Sequence, residues 1–210
     1  MSAPLWTPSQ QYKDNSALNR FKIYTENSYN EHFDDYHEFH QWSINNIERF
    51  WETVIQYFDI SYRGTYNNVL DWNKSSNDFI GAQWFEGIEL SYAEHIFKSY
   101  KEDYPALKFK SEYEDYQEVT WKELRDKVSI IQQYLVEKRI QKGDRIAGVL
   151  NNRIDTIAIF LAVNSLGGIW SCCSPDFGDK AIVERFEQIE PKILFIETTY
   201  QYNDRKFSKK

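Results

Sequence analysis

Cysteine, glycine, proline and methionine are all scarce in this 210-residue sequence, at two, eight, five and one respectively. The two cysteines, Cys172 and Cys173, are neighbours, and a disulfide between adjacent residues strains the intervening peptide, so no disulfide framework is available. They also lack Cys-x-x-Cys spacing, and the nearest histidine in sequence is His95, so they read as small apolar fillers at a strand end. The few glycines form neither a Gly-x-x-x-x-Gly-Lys phosphate loop nor a Gly-x-Gly-x-x-Gly turn, and no Gly-x-Ser-x-Gly elbow occurs. No apolar run approaches the length of a membrane span, and the start, MSAPLWTPSQQYKDN, has no signal-peptide core, so a cytoplasmic protein is expected. Basic residues are outnumbered 25 to 32 by acidic ones, for a formal charge of -7, which argues against a nucleic-acid partner.

What the sequence does have is 41% hydrophobic residues, enough for a real core, and 17% aromatics, most of them before residue 122. Residues 1–30 show little periodicity and read as an irregular segment able to wrap over a neighbouring surface. In "SINNIERFWETVIQYF" the spacing of Ile44, Ile47, Trp51, Val54 and Phe58 predicts one helix with Ser43 as N-cap. Residues 60–90 read as loop-rich. "SYAEHIFKSY" predicts a helix capped by Ser91 and ended at Tyr104-Pro105, and "ALKFKSEYEDYQEVTW" predicts a hairpin. Thr120 and Glu123 form a capping-box pattern before the helical spacing of Trp121, Leu124, Val128, Ile131 and Leu135.

Beyond "QKGD" three short apolar runs, "RIAGVL", "IWSCC" and "KILFIE", alternate with two helical stretches. The first of these follows an Asn-Asn cap and stops at Gly167 and Gly168, and the second ends at Glu190-Pro191. This β-α-β-α-β order predicts an α/β fold with a parallel sheet over residues 107–200, behind an aromatic-rich helical preface, and a division of the chain into 1–106 and 107–210.

Three stretches could carry chemistry. "SCCSPDFGD" lies where a parallel strand's carboxyl end meets a helix N-terminus, a common ligand position, although Asp176 and Asp179 are also ordinary helix-start residues. His37 and His40, with His32 and Glu38 nearby, have helical metal-ligand spacing, but they lack a third ligand and sit on an amphipathic element, so no metal site is assigned. "YNDRKFSKK" is basic and reads as a solvated tail unless a phosphate partner is identified.

Several longer stretches are similar to the adenylate-forming acyl-CoA ligases. "EFHQWSINNIERFWETV", with Phe50-Trp51, and "AQWFEGIELSYAEHIF" resemble the preface of the acetyl- and acetoacetyl-CoA synthetase group. "TWKELRDKV", "KGDRIAGVLNN", "LGGIWSCCSPDFG" and "RFEQIEPKILF" resemble the start of that group's large domain, and the block from Leu166 to Gly178 resembles its acetoacetate branch.

The resemblance implies a ligase that uses ATP and Mg²⁺ to convert acetoacetate to acetoacetyl-AMP and then passes the acyl group to CoA. It places Ser174, Pro175 and Asp176 along CoA, and Arg205, assisted by Lys206, at the CoA 3'-phosphate. The acetate branch has Phe-Gly-Gly where Ser174-Pro175-Asp176 stand here. The same resemblance implies that the ATP-phosphate loop, the ribose-binding Asp and the catalytic Lys lie in further sequence, in the remainder of the large domain and a mobile C-terminal domain. This chain alone is then an inactive fragment. An acetate-type ligase and a non-catalytic CoA- or partner-binding module are the alternatives.

Overall fold

The computed structural model describes residues 5–72, 79–202 and 204–208. Its contacts separate two compact units, 1–90 and 91–210. The division falls before the helix that begins at Tyr92, which packs with the second unit, whereas 106/107 was the boundary expected from sequence.

The first unit is more helical than its sequence suggested. Residues read as irregular form α1 (Gln10–Asp14) and α2 (Ala17–Tyr29), with Ser9 and Ser16 as N-caps whose side chains accept from Tyr12 and Asn19 amides. Periodicity conceals α2 because Phe21 and Thr25 are its buried residues while the apolar Leu18 and Ile23 are exposed. Thr25 remains satisfied there by donating to the Phe21 carbonyl at 2.9 Å.

The single helix expected across 43–58 is two. α3 (Tyr36–Asn45) is capped by Asp35, whose carboxylate accepts from the His37 and Glu38 amides. α4 (Ile47–Tyr57) follows after Asn46, which leaves helical geometry at φ -123, ψ 50 and donates from its side chain to the Trp42 carbonyl. Ser43 is therefore inside α3, where its hydroxyl donates to the His40 carbonyl. Phe21, Phe33, Phe39 and Trp42 form an aromatic core, with edge, tilted and stacked ring contacts at 5.2–6.3 Å, against which Tyr29, Phe50, Val54 and Tyr57 pack.

Short antiparallel pairs follow: β1 (Tyr62–Gly64) with β4 (Ile88–Leu90), and β2 (Leu70–Asp71) with β3 (Gln83–Trp84). The backbones at Gly64 and Gly87, both at positive φ, approach so closely that a Cβ on Gly64 would strike the Gly87 carbonyl.

The second unit follows the expected order. α5 (Tyr92–Lys98) is capped by Ser91 but ends well before Tyr104-Pro105, at a Ser99 C-cap. β5 (Leu107–Phe109) and β6 (Gln117–Val119) form the predicted hairpin. α6 (Trp121–Glu137) begins with the capping box: Thr120 accepts from the Glu123 amide while the Glu123 carboxylate accepts from the Thr120 amide. β7 (Arg145–Val149), α7 (Ile154–Ser165), β8 (Ile169–Cys173), α8 (Asp179–Glu187) and β9 (Ile193–Ile196) build a parallel sheet in the order β8-β7-β9.

Strand alternation divides the core between the sheet's two faces. Ile146 packs with α6 and α7 residues such as Leu135 and Ala162, whereas Ala147 and Val149 meet Ile182 and Phe186 of α8. α7 buries Ala158, Ile159, Leu161, Ala162 and Val163, since it packs against α6, α5 and β8. The Asn-Asn pair does not cap α7. Arg153 is its N-cap without a side-chain bond, and the Asn151 carbonyl accepts from the Thr156 hydroxyl. Gly167, at φ 70, ends α7 as expected.

Candidate functional site

Parallel strands place their carboxyl ends on one edge of the sheet, and there the chain must turn away from hydrogen-bonded pairing into loops. Three loops leave that edge: Leu150–Arg153 after β7, Ser174–Gly178 after β8 and the segment beginning at Glu197 after β9. The backbone holds them in register, since the Leu150 amide donates to the Cys173 carbonyl at 3.1 Å and the Glu197 amide to the Val149 carbonyl at 2.9 Å.

On the β9 side lies a cleft of about 840 Å³. Its floor is Asn151, Asn152, Arg153 and Glu197, one wall is the acidic loop between β5 and β6, and the other is a hairpin of β10 (Thr199–Tyr202) and β11 (Arg205–Ser208). That hairpin replaces the solvated tail expected from sequence. Its turn passes through Asp204 at φ 59, and Tyr200 stacks on its cross-strand partner Phe207 at 5.2 Å.

Arg153 organises the floor. Its guanidinium donates to the Glu114 carboxylate at 2.9 Å and to the Glu197 carboxylate at 3.4 Å, and the other Glu197 oxygen accepts from the Asn151 amide at 3.1 Å. One cation thus joins three segments remote in sequence. Tyr113, beside Glu114, accepts through its hydroxyl from the Asp204 amide at 3.1 Å. The cleft also holds Lys110 and Lys206, and Arg153 is already shared between two carboxylates, so among the described residues these lysines are the lining cations without such an ion pair. Phe109, Tyr113, Tyr200 and Phe207 add aromatic surface. Cations, amides and rings thus line the cleft together with the carboxylates of Glu112, Glu114 and Glu197.

The five site residues expected from sequence separate into two groups. Lys206 lines the cleft together with Phe207 and Ser208, whereas Arg205, its exposed neighbour at the start of β11, does not. Ser174, Pro175 and Asp176 occupy the same carboxyl edge on the β8 side, outside the cleft. Ser174 and Asp176 are exposed and Pro175 is fully buried. The Phe177 amide donates to the Ser174 carbonyl at 3.3 Å, and Arg185 of α8 lies over the Phe177 ring at 5.2 Å.

Cys173 is buried against α8 as a filler, but Cys172 is exposed, since it registers with Gly148 on the opposite face of the β8 edge strand. His37 and His40 are exposed on α3, where His40 stacks on Tyr36. Among the described residues no group of three or more His, Cys, Asp or Glu side chains could hold a metal ion. Also among the described residues, no helix is long and apolar enough to cross a membrane.

Sequence reasoning missed Tyr113, Glu114, Arg153 and Glu197. No local pattern could have found them, because their bonds join residues 39 to 91 positions apart.

Comparison with known proteins gives this edge a context. The AMP-binding enzyme family matches residues 94–210, and the acetyl-coenzyme A synthetase N-terminus family matches residues 36–96. Acetoacetyl-coenzyme A synthetase from Rhizobium meliloti (strain 1021) is 33% identical over 203 residues, 97% of this chain and 30% of the relative. Acetoacetyl-CoA synthetase from Gallus gallus is 34% identical over 205 residues, again 97% of this chain and 30% of the relative. The solved acetoacetyl-CoA synthetase from Streptomyces lividans superimposes with a TM-score of 0.91 at 32% identity, covering 99% of this chain and 32% of that one. The chain thus spans about 30% of the length of the curated relatives it matches.

Proposed function

This chain belongs to the AMP-binding enzyme family, and from that membership we propose that it is the N-terminal part of a ligase that joins acetoacetate to CoA at the expense of ATP. A carboxylate is a poor acyl electrophile because its leaving group would be oxide. In the proposed first step an acetoacetate oxygen attacks the α-phosphorus of ATP, forming acetoacetyl-AMP and releasing pyrophosphate. In the second, the CoA sulfur attacks the acyl carbon, the carbon–oxygen bond to AMP breaks, the thiol proton goes to solvent or a base, and acetoacetyl-CoA leaves with AMP. ATP supplies the adenylyl group that turns the carboxylate oxygen into part of a leaving group, AMP. No residue of this chain is assigned to ATP or Mg²⁺.

What this chain contributes, on this reading, is part of the CoA site. Lys206 offers an ammonium inside the cleft, and Arg205 offers a guanidinium beside it on the same strand, each suited to the CoA 3'-phosphate. Ser174 and Asp176 flank the carboxyl end of β8, with Pro175 holding the turn between them from its buried position. The carboxylate of Asp176 is the wrong sign for phosphate, so its part on this reading is to fix the loop near the neutral pantetheine arm. The observation that carries the proposal is the agreement over nearly the whole chain with acetoacetyl-CoA synthetases in both sequence and fold.

Acid-dependent exchange of pyrophosphate into ATP tests the first step. The whole translated reading frame containing these residues is expected to exchange most rapidly with acetoacetate, offered in parallel with acetate and butyrate, and the 210 residues alone are expected to be inactive. An acetate-type ligase is the second reading, favoured by the match of residues 36–96 to the acetyl-coenzyme A synthetase N-terminus, and faster exchange with acetate selects it.

A further inference from the structure

The hairpin that carries Arg205 and Lys206 is a two-stranded ribbon, and such ribbons have little stability of their own in water. Among the described residues its strands pair only with each other. Its position therefore depends on bonds from outside the ribbon, and two of these come from neighbouring residues of one loop. Tyr113 accepts the amide of Asp204 at the hairpin's tip. Glu114 holds Arg153, which holds Glu197 just before the hairpin's first strand. The tip and the base are thus gripped by adjacent residues of the β5–β6 loop, 91 and, through Arg153, more than 80 positions away in sequence. The loop is itself braced, since the Ser111 hydroxyl accepts from the Tyr113 amide and the Ser111 amide donates to the Glu114 carbonyl.

We infer that Tyr113 and Glu114 are positioning residues: the acidic β5–β6 loop is a clasp that fixes the β10–β11 hairpin so that its cations meet the 3'-phosphate of CoA. The inference rests on the CoA reading given above. The electrostatics favour this division of labour. A carboxylate facing an anionic ligand opposes its binding, and Arg153 is shared by Glu114 and Glu197, so Glu114 serves the phosphate only through the scaffold it holds, while Lys206 supplies the cation. Tyr113 is engaged through its hydroxyl oxygen with the Asp204 amide. Its oxygen acts on the ligand only through the backbone that it holds.

The test compares CoA with 3'-dephospho-CoA, which lacks only the group that Arg205 and Lys206 are proposed to meet. Binding of both to the 210-residue chain is followed by amide chemical shifts in the parent, in Arg205→Ala/Lys206→Ala, in Tyr113→Phe and in Tyr113→Phe/Glu114→Gln, with hydrogen exchange of the Asp204 amide measured in each. The parent is expected to prefer CoA, and the double alanine variant to lose that preference. The clasp variants are expected to bind CoA about three- to tenfold more weakly, the loss typical of one or two hydrogen bonds. They should bind dephospho-CoA within about twofold of the parent, a split that general destabilisation does not produce, and their Asp204 amide should exchange faster. If the alanine variant loses the preference while the clasp variants keep it in full, the clasp is overturned and the CoA reading stands. If the parent itself does not distinguish the two ligands, the CoA reading is wrong and the inference falls with it.

Discussion

Gly148→Ala is expected to destabilise the second unit by about 1–2 kcal/mol. Gly148 lies in the middle of β7, the central strand, at a φ open to any residue, so the cost is one of space. An added methyl would lie 2.6 Å from Cη2 of Trp170 and 3.0 Å from both Cζ2 of Trp170 and Cδ1 of Leu150. Ordinary carbon contacts need about 3.5–4.0 Å, so the indole must retreat by about 1 Å from the strand it covers. Overpacking of this kind costs about 1–3 kcal/mol, and the reduced freedom of the unfolded chain returns about 0.4–1 kcal/mol, which leaves the stated loss.

The assay is urea unfolding followed by tryptophan fluorescence and circular dichroism, and the melting temperature should fall on the order of 3–8 °C. Trp170→Leu in the same chain removes the obstacle, so the double variant should be less destabilised than the sum of the singles by at least about 0.5 kcal/mol. An alanine variant as stable as the parent, or strict additivity with Trp170→Leu, would refute the packing of Trp170 across β7. The strand matters beyond its own stability because its carboxyl end delivers Asn151 and Arg153 to the cleft.

Two other substitutions test how the second unit is held. Thr120→Ala removes the hydroxyl that accepts from the Glu123 amide and should cost about 1 kcal/mol, read as a lower urea midpoint with unchanged m-value. Asp144 joins the starts of β7 and β9 through Lys192 at 2.6 Å. The Lys192 bond first, and then the Gln141 amide, hold its carboxyl below the usual aspartate range. A group whose folded pKa is depressed stabilises above its unfolded pKa, about 3.9, and that contribution is lost as pH falls through the lower folded value. Asp144→Asn should therefore lower stability at pH 7 and reduce the loss of stability on acidification. An acid-unfolding profile parallel to that of the parent would contradict this.

The second unit was legible in sequence because its elements carry complete local signals. α6 has both halves of a capping box and an unbroken apolar stripe, and β7, α7, β8, α8 and β9 alternate in length and period as parallel strands and helices do. The first unit was less legible for a physical reason: α2, α3 and α4 bury only two residues each, two of them threonines, and a stripe that continued in sequence from α3 into α4 concealed the break at Asn46. The short strands between 62 and 90 contain two or three residues each, too few to show alternation.

At the candidate site, resemblance pointed to Arg205 and Lys206, of which the fold puts Lys206 in the lining of the cleft. Arg153 and Tyr113 were invisible because a guanidinium shared by Glu114 and Glu197, and a tyrosine on the Asp204 amide, exist only once the fold has brought those segments together.

The most direct test of the account is the stoichiometry of AMP and acetoacetyl-CoA formed by the whole translated reading frame supplied with ATP, Mg²⁺, CoA and acetoacetate. The account predicts one acetoacetyl-CoA for each AMP, with no AMP released in excess when CoA is omitted. AMP formation with acetate and none with acetoacetate, or CoA bound with no turnover of any acid, would contradict it.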